Sequence, residues 1–258
     1  MSSSLYASRL HSSFGLLTLL LLLSVLAGCV QTKKLSATQG EFAGRSMSFV
    51  DNPALPMVVG NDDDVATQAA LPVGLGLAVS MLDVGLKAST GMYEKAFLIP
   101  KPIVDPSEIV EQELAATLRS SYGLVRQEDL RVPLKPANPD ASWPDQARVS
   151  AIVAFAKANG HSGMIVDVAM TRLSAKTHGH GLSLGGPKVQ FELVVNFAII
   201  DAASGKLVAS TYCVTPPNAA RHSLDTVLNG GPEFVDRAVS GIARACADRI
   251  RKNVLPAR

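Results

Sequence analysis

Three groups of residues in this chain are of types that do covalent or metal chemistry. Cys29, Cys213 and Cys246 are its only thiols. His178-Gly179-His180 sets two imidazoles two residues apart, and Gly181-Leu182-Ser183-Leu184-Gly185 after them spells G-x-S-x-G. Imidazoles at that spacing share a metal ion when His161, His222 or Asp167 completes the set. A catalytic zinc needs three rigidly held ligands, however. Gly179, Gly181, Gly185 and Gly186 instead make Thr177 to Pro187 read as a hairpin tip. A nucleophilic serine of the G-x-S-x-G kind must follow a strand and open a helix, and Pro187 with a strand behind it contradicts that setting. A metal-binding protein or hydrolase built on His178 and His180 is therefore the alternative reading. The run Asp62-Asp63-Asp64 lacks the spaced acids and closing glutamate of a calcium loop and reads as a solvated turn. Gly74-Leu75-Gly76 lacks the third glycine of a dinucleotide fingerprint.

Cys29 stands apart because of what precedes it. Residues 1–28 hold one basic residue, Arg9, and no acid, and Leu16 to Leu26 is almost wholly apolar. A charged start, an apolar tract and small residues before a break compose a secretion signal. The tract is short of the roughly 20 apolar residues that a permanent membrane helix needs.

Leu26-Ala27-Gly28-Cys29 resembles the lipobox of bacterial lipoproteins. The resemblance implies cleavage between Gly28 and Cys29, a diacylglyceryl thioether on the Cys29 thiol and an acylated amine. Three acyl chains contribute about 0.8 kcal/mol per buried CH₂, enough for stable anchoring. Val30, where family members retained in the inner membrane carry aspartate, points to a lipid-anchored place on the outer membrane, facing the periplasm.

What would remain is 230 of the 258 residues, with 23 basic and 22 acidic side chains. No basic stripe of the sort that phosphate backbones demand is present, so nucleic acid is not an expected partner. Aromatics make up 5% of the chain, too few for a base- or sugar-stacking platform. Cys213 and Cys246 would then lie in an oxidising compartment. Cys246 falls on the apolar stripe of a long helix and Cys213 ends a strand which that helix should cover, so a disulfide is expected. Two separately buried thiols are the alternative.

The elements that must position these residues follow from periodicity. Residues 29–43 read as the lipidated cysteine and a polar tether, and 44–258 as one domain. Gly44 to Val50 suggests a first strand, Asp51 to Gln68 a loop, and Leu71 to Leu86 a close-packed helix or a membrane-touching segment. Asp105-Pro106-Ser107-Glu108 starts a helix, Val110, Leu114, Leu118 and Tyr122 mark its inner face, and Gly123 ends it. Leu124-Val125 suggests a short strand. The four prolines of residues 132–144 mark a surface loop that Trp143 closes.

Ala147 to Asn159 is a second helix, with Val149, Ile152, Val153 and Ala156 inward. Met164 to Met170 is a strand in which Asp167 is expected to point outward; a buried pair with Arg148 or Arg172 is the alternative. Val189, Phe191, Leu193, Val195, Phe197 and Ile199 alternate as a strand. Asp201 to Lys206 turns it into Leu207 to Val214. Pro232 opens a helix to Asn253, striped by Val235, Val239, Ile242, Cys246 and Ile250. The fold class is α+β: an antiparallel sheet of three or more strands with helices on one face.

A helix ending in glycine, the run Ala158 to Val166 entering a strand, and a hairpin turned at Asp201…Gly205-Lys206 resemble a periplasmic αβ module. The module is that of the curli-secretion lipoprotein, the Tol translocation protein's N-terminal domain and outer-membrane activators of penicillin-binding proteins. Those proteins bind partners and assemble, so the resemblance implies a non-catalytic module. Its partners would be the membrane through its lipid, an envelope protein and a second copy of itself, with no cofactor.

Overall fold

The computed structural model describes residues 32–35, 39–61, 98–134, 143–178 and 186–255. Cys29 and its leader, Asp62-Asp63-Asp64, Leu71 to Leu86 and residues 179–185 lie outside them, as does most of the proline-rich loop. In chain order the elements are α1 (Gln39–Phe42), β1 (Ser46–Phe49), β2 (Val58–Asn61), α2 (Pro106–Tyr122), β3 (Val125–Arg126), α3 (Gln146–Ala158), β4 (Met164–His178), β5 (Lys188–Asp201), β6 (Lys206–Val214), β7 (Arg221–Ser223) and α4 (Leu224–Val254). They form an α+β fold: one curled, mixed sheet of seven strands with three helices packed against it.

Helix starts follow their capping residues. The Asp105 carboxylate accepts hydrogen bonds from the backbone N–H and the hydroxyl of Ser107, satisfying an orphan donor at the start of α2. Gly123 ends that helix at φ 67°, a left-handed conformation in which a side chain would be strained. Asp145 caps α3 by accepting from the N–H groups of Ala147 and Arg148. The last helix begins at Leu224, capped by Ser223, rather than at Pro232. Gly231 breaks its helical geometry at φ 61°, and Pro232 opens the second segment, the position where a missing N–H costs nothing.

The sheet is ordered β3-β1-β4-β5-β6, with β2 paired to the far half of β4 and β7 to the far half of β5. Contrary to the antiparallel expectation, β1 runs parallel to both β3 and β4, and β2 parallel to β4. β4 extends to His178 instead of stopping at Met170, because an irregularity between Met170 and Arg172 changes its alternation. Met164, Val166, Val168 and Met170 face the main core before it; Leu173 and Ala175 do so after it. An extra residue in one strand has that effect. β5 keeps odd-numbered core residues from Val189 to Ile199 throughout.

Helices α2 and α4 cover the face that carries this main core, against Phe49, Phe191 and Phe197. The expectation of helices on one face fails for α3. Its Val149, Ile152 and Ala156 pack on Ile165 and Ile200, alternate side chains on the opposite face of β4 and β5, and on Val50 just after β1. The ordered fold also begins earlier in the chain than polarity alone suggests. Lys33 exchanges both backbone hydrogen bonds with Ser210 of β6, Leu35 N–H donates to Val254 C=O, and Leu35 and Phe42 are core residues. Residues 32–35 and α1 thus belong to the domain.

Asp167 corrects a further expectation. Its side chain does lie on the face opposite the main core, but α3 covers that face and leaves the residue 1% exposed. Arg148 of α3 meets it end-on: Nε donates to Oδ2 at 2.7 Å and Nη2 to Oδ1 at 3.0 Å. Asn52 Nδ2 donates to Asp167 Oδ1 and to Val168 C=O, and Asn52 Oδ1 accepts from Arg148. Removing one partner of such a buried pair strands the other charge. Arg148→Ala is expected to lower stability by about 3–5 kcal/mol in urea unfolding. Arg148→Met with Asp167→Leu should lose less than Arg148→Met alone.

Candidate functional site

An apolar groove of about 340 Å³ lies between α4 and the sheet. Its existence follows from a gap in the sheet. β6 pairs with β5 over Val194 to Asp201 and β7 with β5 over Lys188 to Gln190. Between them the segment Thr215 to Ala220 crosses without forming a strand. Thr215 keeps the adjacent backbone satisfied: its N–H donates to Leu193 C=O and its hydroxyl accepts from Leu193 N–H. Phe191 and the sulfurs of Cys213 and Cys246 line the groove together with Pro216 and Ala219.

The helical wall is set by sequence spacing. Arg237, Gly241, Ala245 and Arg249 recur every four residues and so share one side of α4. Gly241 and Ala245 bring no bulk to that side, and Ala238 beside them brings little. Arg249 Nη1 donates to Val214 C=O at 2.5 Å, which ties the helix to the end of β6. Arg237 is exposed and makes no ion pair among the described residues. His222 stands at the far rim, its ring edge-on to Phe234 with centroids 5.0 Å apart.

Cys213 and Cys246 are joined as a disulfide, their Cα atoms 5.7 Å apart, a separation normal for the bond. It fastens β6 to α4, and both cysteines line the groove.

The histidines named from the sequence do not gather. His161 precedes β4 and His178 ends it, so the strand's length, about 46 Å at ~3.3 Å per residue, separates them. His222 pairs with Val189, which pairs with Thr177. His178 is the next residue along and points to the other face of the sheet. Asp167 is engaged by Arg148. Among the described residues no group of three His, Cys, Asp or Glu side chains is placed to hold a metal ion. His180, Ser183 and Cys29 lie outside them.

A second, polar cavity of about 180 Å³ lies where β1 meets the entry to β4, lined by Ser46, Ser48, Gln127, His161 and Ser162. The two strands approach closely there: a Cβ added to Gly163 would stand 2.1 Å from Ser46 Oγ. No hydrogen bond joins His161 to either serine of β1, and no carboxylate lines the cavity to orient the imidazole. A nucleophile needs both.

A strongly shifted carboxyl lies away from the groove. Glu111 of α2 is pushed up from the ordinary carboxylate value to about 8, by burial first and then by the neighbouring Asp129 carboxylate. Arg126 opposes this but is shared, binding Asp129 at 2.9 Å.

Cys213, Cys246, Ile242 and His222 are singled out by sequence reading, but their sharing of a groove with Arg237, Gly241, Ala245 and Arg249 is not. The four-residue spacing from Arg237 to Arg249 was visible, but nothing local marks that side of α4 as the one facing a gap between β6 and β7.

Two outcomes are expected. Replacing Cys213 and Cys246 together by serine should cost about 3–4 kcal/mol in the chain-entropy model for a loop of this length, checked by chemical unfolding with and without reductant. Glu111 binds its proton in the folded state at neutral pH, whereas the unfolded chain does not. Stability should therefore fall as pH rises from about 4.5 to 8. Glu111→Gln should remove that slope and be the more stable protein at pH 8, by an amount on the order of a few kcal/mol.

No protein-family model matches the chain, and no curated protein matches it in sequence.

Proposed function

We propose that this chain is a lipid-anchored envelope lipoprotein whose domain works by binding a protein partner rather than by turning over a substrate. One observation carries the reading: the described chain joins the fold at Lys33, only four residues after Cys29. Four extended residues reach at most about 14 Å. A lipid on Cys29 would therefore hold the β6 edge and the end of α4 against the bilayer, with little slack. No helix among the described residues is long and apolar enough to cross a membrane, so the lipid is the attachment this reading relies on.

The surface offers contact rather than catalysis. Beyond Ser210, where Lys33 docks, β6 displays the exposed side chains of Tyr212 and Val214. An open strand edge can accept a partner strand. Leu98, Ile103 and Val104 are exposed as well, and the N–H groups of the latter two donate to Asp236 Oδ1. The resemblance to partner-binding periplasmic αβ modules agrees with this use of the fold. Residues 179–185, which join β4 to β5, are a further candidate contact by their place in the sequence.

Cys29→Ser should leave the precursor uncleaved before residue 29 and remove the lipid mass from the peptide that contains this residue, both read by mass spectrometry. Deleting residues 179–185 should weaken partner capture in cross-linking pull-downs from membranes, with thermal unfolding unchanged. Thr177 must be kept in that deletion, because it is buried and its strand pairs with both β2 and β5. A wild-type chain that is soluble without lipid would overturn the anchoring. Stoichiometric zinc, with a hydrolytic activity lost in His178→Ala/His180→Ala, would overturn the binding role.

A further inference from the structure

The groove on α4 has a chemical pattern that the partner-binding reading does not use. It is long: Arg237 and Arg249 lie twelve residues apart on one side of a helix, about 18 Å at 1.5 Å per residue. It is modest in volume, about 340 Å³, roughly twice the ~150 Å³ apolar cavity that accommodates a benzene. Length with little volume describes a trough for one chain. Its walls are apolar along the middle, where Phe191, the disulfide, Ala238, Gly241 and Ala245 lie.

Its charges are of one sign. Arg237 and Arg249 line it, and no aspartate or glutamate does. The two guanidiniums are not equivalent. Arg249 is committed to Val214 C=O, whereas Arg237 has no ion-pair partner among the described residues. A guanidinium matches a carboxylate bidentately.

We propose that this groove binds a single-chain fatty acid, its hydrocarbon laid along Gly241 and Ala245 and its carboxylate on Arg237. The inference is independent of the anchor and of the protein partner, and its test leaves both aside. Gly241 supplies a clean probe, because a Cβ built there meets no atom within 4 Å. A leucine side chain would enter the trough and not the core, and leucine is the better helix former.

The experiment uses the full chain carrying Cys29→Ser, so that no covalent lipid competes, and titrates it with the fluorescent polyene parinaric acid. Saturable one-to-one binding is expected, displaced by oleate. Gly241→Leu should weaken it at least tenfold while the thermal midpoint stays or rises. Arg237→Ala should weaken oleate by about tenfold and leave the alcohol of the same chain length unaffected. Absence of saturable binding, binding that survives Gly241→Leu, or equal affinity of acid and alcohol for the unsubstituted groove would overturn the proposal. So would binding to phosphatidylglycerol vesicles without binding of the free acid, which would make the occupant a membrane lipid.

Discussion

A carboxylate in the middle of a strand that is covered on both faces dictates the arrangement of one side of this molecule. Asp167 sits where β4 is flanked by β1 and β5 and overlaid by α3. An ionised group there is tolerated only with its lone pairs satisfied and an opposite charge in contact. Arg148 supplies the charge from the first turn of α3, and Asn52 supplies the remaining donor from the chain leaving β1. Three segments far apart in sequence are thereby held in one register. The helix cannot slide along the sheet without breaking a two-point contact, and apolar packing by Val149, Ile152 and Ala156 alone would set no such register. Trp143 adds a second fixed point, its indole N–H donating to Phe197 C=O.

Much of this was legible wherever the signal is local. Asp105 and Gly123 delimit α2 because capping involves residues two to four apart, and β5 declares itself through an unbroken alternation. What escaped reading is non-local. The parallel pairings of β1 and β2 with β4 join residues more than a hundred positions apart, and no turn chemistry records them. β2 and β7 are four and three residues long, too short to show a period. β4 was cut short because its alternation shifts past Met170, so a single period fits only its first half. Alternation places Asp167 on the face opposite the main core, but a polar residue there reads as solvent-facing unless the covering helix is known.

The groove belongs to the same class of hidden feature. It is the product of three separate departures from regularity: the space between β6 and β7, the break at Gly231 that begins the second segment of α4, and the small residues on one side of that segment. Each is unremarkable alone. A helix side made of glycine and alanine is usually a close-packing surface, and here the sheet opposite it is interrupted, so the space stays open. The disulfide joins β6 and α4 covalently where both line the groove.

The docking of Lys33 on Ser210 and of Leu35 on Val254 brings the first and last described segments together. Order of synthesis then becomes a constraint. Residues 33–35 are made well before their partners and have nowhere to settle until β6 and the final turn of α4 exist. A polypeptide with that property cannot complete its fold while β6 and the end of α4 are still unmade. Force applied at the N-terminus of the finished protein would be borne by those same bonds, and so by the two elements that the disulfide already clamps together.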